Sequence, residues 1–178
     1  MMGEFWHLTR RFFAALTNRG PHETDRVWVE SVLSEREYAL WARQYPPDRR
    51  HSASIARQVE RRLAGEPASG EDTRWVLASA LLHDIGKIEA DLGTWGRVFA
   101  TVIAKTVGSE RVRRWAHDDG YRGRVGSYLR HPAIGAELLR GAQSDPRTIA
   151  WAAEHHQRPD KWTVPVEFAQ VLHEFDND

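Results

Sequence analysis

The side chains best suited to chemistry in this chain are its nine histidines, several of them set near aspartates, in a sequence with no cysteine. A metal site without thiolate must be built from imidazole and carboxylate, a donor set that suits Mn, Fe, Ni, Co or Zn better than Ca. The same absence excludes a disulfide scaffold, a thiol nucleophile, an iron–sulfur cluster and Cys-ligated zinc. Two adjacent His-Asp pairs occur, His83-Asp84 and His117-Asp118. The second lies in a polar, arginine-rich stretch and reads as a solvated surface pair. The first closes the apolar run Val76-Leu77-Ala78-Ser79-Ala80-Leu81-Leu82, where buried, unbonded polar groups would cost several kcal/mol. Neighbouring helical residues point about 100° apart, so both side chains converge only on an object between them. A metal ion at a helix end is such an object, and an aspartate can bridge two ions through its two oxygens.

Other polar residues repeat the pattern on otherwise apolar helical faces. His51 shares a face with Ile55 and Val59, His131 stands at a helix start, His155 and His156 close an alanine-rich helix, and Asp176 flanks Leu172 and Phe175. Any one of these alone reads as a satisfied core or capping residue. Together they point to a metal centre. His7, His22 and His173 read as surface or packing residues.

The elements that must position them are helical throughout. Apolar residues recur at spacings of three and four, without strand-like alternation. Phe5, Leu8, Phe12 and Leu16 mark a first helix, stopped by Asn18-Arg19-Gly20-Pro21. Helical pattern runs from about Glu23 to Tyr45 with a break near Ser34. Pro46-Pro47 is expected to end it, and Asp48 to cap the helix carrying Ile55, Val59 and Leu63. Gly65–Gly70 reads as a loop. A helix from about Asp72 leads into His83-Asp84-Ile85-Gly86-Lys87, with Gly86 expected in the left-handed C-terminal position. The basic stretch Arg97–Arg130 is the least orderly. Pro132 suits a first helical turn, Asp145-Pro146 starts another helix, and Phe168, Val171, Leu172 and Phe175 form the stripe of the last. The expectation is an all-α, single-domain bundle, with residues 1–47 as an N-terminal helical extension packed on a core of residues 48–178.

The 178 residues fit one domain, and 25 basic against 25 acidic side chains leave no net charge. A stable nucleic-acid complex is therefore not expected, since such proteins carry a basic excess. No apolar run approaches the ~18 residues of a membrane span. Phe12–Leu16 is too short for a secretory signal, so the expected location is the cytoplasm.

The order His51, Leu81-Leu82-His83-Asp84-Ile85-Gly86-Lys87, His131-Pro132-Ala133-Ile134-Gly135-Ala136-Glu137-Leu138-Leu139, Glu154-His155-His156 and Asp176 resembles the HD superfamily of metal-dependent phosphohydrolases. The resemblance runs from Arg49 to Asp176. It implies that His51, His83, Asp84 and Asp176 hold a first divalent ion. It implies that His131, His155 and His156 hold a second, with Asp84 bridging. The HD-GYP branch, which cleaves cyclic di-GMP, carries His-His-Glu followed by Gly-Tyr-Pro. Here His155-His156-Gln157-Arg158-Pro159-Asp160 departs from it, and that substrate is not supported.

The function implied is hydrolysis of a phosphomonoester or phosphodiester, a nucleotide in the first instance, by a metal-activated hydroxide. Asp84 and Lys87 would carry the catalytic roles, with Lys87, Arg158 and Lys161 as cations for substrate phosphate. Lys87 also suits a helix C-terminus on dipole grounds alone. Two alternatives share the ligand order: a di-iron oxygenase, which would need iron and dioxygen, and a non-catalytic module that binds a partner or nucleotide.

Overall fold

A computed structural model of the chain describes residues 20–64, 70–90, 92, 115, 118 and 120–177. The helix read from Phe5 to Leu16, His117 and most of the basic stretch lie outside the described residues. Those described form an all-α bundle: α1 Glu23–Val32, α2 Glu35–Ala42, α3 Pro46–Leu63, α4 Gly70–Leu82, α5 Gly120–Leu129, α6 His131–Gly141, α7 Pro146–Glu154 and α8 Val166–Asn177. Short 3-10 segments, Ile85–Ala90 and Pro159–Lys161, come after α4 and α7 respectively. Among the described residues, no helix is long and apolar enough to cross a membrane.

Local chemistry explains most boundaries. The break at Ser34 is a capping box. The Ser34 hydroxyl accepts from Glu37 N–H while the Glu37 carboxylate accepts from Ser34 N–H at 2.9 Å. Asp145 caps α7 by accepting from Arg147 N–H at 2.8 Å, and Pro146 takes the first helical position. The prolines at 46 and 47 act differently from expectation. They begin α3 instead of ending the previous helix, because a first-turn N–H has no intrahelical partner to lose. Tyr45 is therefore the N-cap, and Asp48 lies within the first turn, where its charge favours the helix dipole.

The centre of the bundle is α4, whose residues from Trp75 to Leu82 are buried on every side, the mark of a core helix. α3 packs along it through Ile55, Ala56, Val59 and Leu63, and α7 through Trp151 and Ala152. α8 adds Ala169 and Leu172. α1 and α2 contribute Val29, Val32, Leu33 and Trp41 to this same core. Fully burying one such side chain is worth about 1.5–3 kcal/mol. Two polar contacts set the register of α4 against α7: Thr148 Oγ1 donates to the Trp75 carbonyl at 3.2 Å, and the Ser79 hydroxyl reaches Thr148 Oγ1 at 3.4 Å. α6 pairs with α7, and both α5 and α6 lie against the 3-10 turn after α4. The ends of α4, α5 and α7 are thereby brought to one place.

Candidate metal centre

At that place His83, His131 and His155 each stand just beyond a helix end, one or two residues past the last turn of α4, α5 and α7. Each ring is anchored in the same way. Nδ1 of His83 donates to the Ala80 carbonyl at 3.0 Å, that of His131 to Tyr128 at 2.7 Å, and that of His155 to Ala152 at 3.0 Å. A carbonyl oxygen can only accept, so Nδ1 carries the hydrogen in all three. In a neutral ring the inward Nε2 is then a bare lone pair, the form in which imidazole binds metal.

The three Nε2 atoms meet Asp84. Its Oδ1 lies 3.2 Å from Nε2 of His131 and 3.8 Å from that of His155, and its Oδ2 lies 3.4 Å from that of His83. On the far side His83 Nε2 is 3.2 Å from Oδ1 of Asp176. His156 stands against His155 and His131, with ring centroids 4.0 and 5.1 Å away. Asp84, His131, His155 and His156 each offer a ligand atom within 4.8 Å of the others.

Burial turns this convergence into a constraint. His83 is 2% exposed, His131 6%, His155 1% and Asp84 8%. Nε2 of all three histidines and Oδ1 of Asp84 are buried without a hydrogen-bond partner. Acceptors facing acceptors at little more than 3 Å repel, and leaving four of them desolvated costs about 1–3 kcal/mol each. A proton or a cation between them removes the conflict, so the donor set fits a divalent metal. His51 is half-buried on α3, a helix packed against α4 and α8. It is not among the four residues that share the 4.8 Å cluster.

The electrostatics divide the histidines. Burial works to lower the His83 pKa, but the charges of Asp176 and Asp84 together outweigh it and raise it to about 10. His155 goes the other way, held well below the usual histidine value by burial and then by the neighbouring His83 and His156. His156, although more than a third exposed, is pulled down to about 4 by desolvation and then by the charge of His131. Both carboxylates are depressed. Burial opposes this, and it is outweighed for Asp84 by Lys87 and His83, and for Asp176 by His83.

These directions predict the metal-free stability profile. A His83 with a raised pKa contributes stability that is complete below the ordinary value of 6.5 and is lost as pH rises towards about 10. His155 and His156 resist protonation in the fold, so stability also falls as pH drops from 6.5 towards 4. The melting temperature of metal-free protein should therefore peak near pH 6.5 and decline on both sides. Added divalent metal should flatten the alkaline limb. A melting temperature that climbs steadily from pH 6.5 to 9 without metal would show that His83 is not held in its charged form.

Lys87 lies beside the cluster, its ammonium paired with Asp84 Oδ2 and 5.8 Å from the centre of the Tyr128 ring. Burial lowers its pKa, but Asp84, Tyr128 and Asp48 outweigh burial and raise it, so it is charged at neutral pH. Arg158 and Lys161 are exposed beyond His156, and Arg158 pairs with Asp160 at 3.2 Å. The loop that bears them is tied down where Glu154 accepts from Thr163 N–H and Oγ1, both at 2.7 Å. Gly86 is not the left-handed residue expected. Gly120 is the glycine with positive φ among the described residues, and Gly86 is buried against α6.

Some contributors left no side-chain signal. The carbonyls of Ala80, Tyr128 and Ala152 orient the rings through the main chain, and only a histidine just past a predicted helix end hints at them. The second His-Asp pair behaves as a surface element where it is described, with Asp118 exposed and 3.5 Å from Arg122.

An all-α fold with buried imidazoles converging on one aspartate defines a helical module able to hold divalent metal. The HD domain family matches residues 50–177, and the chain belongs to that family. No curated protein and no solved structure matches it.

Proposed function

We propose that the chain is a metal-dependent phosphohydrolase acting on a phosphomonoester or phosphodiester, with a nucleotide as the preferred class of substrate. The observation that carries this reading is the set of four buried polar atoms without a hydrogen-bond partner, Nε2 of His83, His131 and His155 and Oδ1 of Asp84, gathered in one place. His83, Asp84 and Asp176, with His51 from the adjoining α3, would hold one ion. His131, His155 and His156 would hold a second, and Asp84 would serve both. Imidazole and carboxylate favour Mn, Fe, Ni, Co or Zn. Bound there, divalent ions would supply Lewis acidity that makes hydroxide available at neutral pH and offsets charge on phosphate oxygens.

The chain's own groups do the rest. Nδ1 bonds to helix carbonyls keep each ring in the ligating tautomer. Lys87, held charged beside Asp84, would donate to a phosphate oxygen. Arg158 and Lys161 add positive charge at the solvent side. Residues before 48 serve as an N-terminal extension that completes the core instead of supplying ligands.

Seven candidate ligands exceed what one octahedral ion takes, so metal-replete protein should contain two ions per chain. Elemental analysis tests this, together with phosphate-release assays over nucleotides, cyclic dinucleotides and simple phosphoesters with Mn under exclusion of oxygen. One ion or fewer, with His131→Ala and His155→Ala unaffected, would reduce the site to a mononuclear one. Absence of hydrolysis throughout the screen would count against the enzyme reading, and dependence on iron with oxygen would favour oxygenase chemistry.

A further inference from the structure

The 3-10 turn after α4 crosses the first turns of α6 so closely that Gly86 has no room for a side chain and Gly135 has little. A Cβ on Gly86 would lie 2.0 Å from the His131 carbonyl oxygen and 2.6 Å from Gly135 nitrogen. From the other side, a Cβ on Gly135 would lie 3.2 Å from Gly86 nitrogen and 3.3 Å from Ile85 Cγ2. Neither glycine has positive φ. Space, and not backbone conformation, is what glycine provides at this crossing.

The crossing lies directly between two sets of ligands. Asp84 stands two residues before Gly86, and His131 stands four before Gly135, one turn away on α6. Their side chains meet at 3.2 Å. α6 pairs with α7, and the rings of His155 and His156 lie 5.6 and 5.1 Å from that of His131. His83 and Asp176 come instead from the ends of α4 and α8. The two glycines thus set how far the α6–α7 ligands stand from the aspartate they would share.

We infer that Gly135, together with Gly86, is a positioning residue for the second ion alone. It fixes the α6–α7 histidines to the shared Asp84, whereas His83 and Asp176, from the ends of α4 and α8, lie outside the crossing. This rests on the two-ion reading of the site. A methyl group at 135 requires its neighbours to yield by a few tenths of an ångström. Packing absorbs such a shift, but metal–ligand distances hold to within about 0.2 Å.

The test is Gly135→Ala, with Gly141→Ala as control, since a Cβ at 141 on the same helix meets nothing within 4 Å. Metal-free protein would be titrated with Zn or Mn by calorimetry, with elemental analysis of the product and far-ultraviolet circular dichroism of each variant. Gly135→Ala should keep its helical spectrum and bind the first ion as wild type does. Its affinity for the second should fall roughly ten- to a hundred-fold, the scale of a lost outer-shell support, while Gly141→Ala matches wild type. Two ions at wild-type affinity in Gly135→Ala would overturn the inference. So would unfolding of that variant, or equal weakening of both ions, because the crossing would then be general scaffolding. Wild type that binds a single ion would instead overturn the two-ion reading itself, a separate and recognisable result.

Discussion

Asp84→Ala is expected to strip the protein of tightly bound metal and to lower hydrolysis by a factor of a thousand or more. The reason is that both oxygens are engaged, and on opposite sides. Oδ1 faces His131 and His155, while Oδ2 faces His83 and Lys87. Removing the carboxylate leaves imidazoles crowding one another with no anion to draw a cation among them. It also leaves the Lys87 ammonium without its closest partner. Loss of one member of a buried pair costs about 3–5 kcal/mol, so metal-free Asp84→Ala should melt well below metal-free wild type. The comparison that gives the result meaning is Asp118→Ala, at the other His-Asp pair. Asp118 is exposed beside Arg122, and its loss should cost no more than a few tenths of a kcal/mol and leave metal content alone. Equal effects at the two positions, by elemental analysis and thermal melting, would overturn the assignment of the centre to Asp84.

Lys87→Ala should separate substrate binding from metal binding. The variant should retain both ions and lose roughly ten- to a thousand-fold in kcat/KM, the scale of one charged donor removed from a developing oxyanion. The ion pair with Asp84 adds a second signature. Metal-free Lys87→Ala should melt several degrees lower, because a buried carboxylate has lost a counter-charge. Metal-loaded variant and wild type should melt alike, because the ions then supply that charge. A lysine serving only its helix end would cost a few tenths of a kcal/mol and leave turnover unchanged. Unchanged hydrolysis of a substrate that wild type clearly cleaves would remove Lys87 from substrate binding.

The helices and the histidine–aspartate cluster were legible to different degrees. Apolar spacing marked the faces of α3, α4, α6, α7 and α8 because a buried face must be apolar wherever it is not functional. His83, Asp84, His131, His155 and Asp176 stood out as exceptions to that rule, and the structure brings these five together. His156 joins them from a more open position. Proline and glycine were harder to interpret. Pro46-Pro47 is a stop to the helix before it and a start to the one after, and sequence alone does not say which governs. Gly86 could serve a left-handed turn or a close approach. The partner that decides between them, the His131 carbonyl, is 45 positions along the chain. Such contacts arise from tertiary packing and have no local periodicity.

Two of the helix ends at which the clustered histidine rings sit have an effect beyond orienting them. An α-helix gathers partial negative charge at its C-terminus, equivalent to roughly half an elementary charge. α4 and α7 both deliver that end to within one imidazole of Asp84, whereas at His131 the C-terminus of α5 meets the N-terminus of α6 and the two offset each other. The main chain therefore creates a standing field that attracts cations, typically about 0.3–1 kcal/mol per helix end. No exchange of a single side chain removes this share of the attraction. It belongs to the way the bundle is wound.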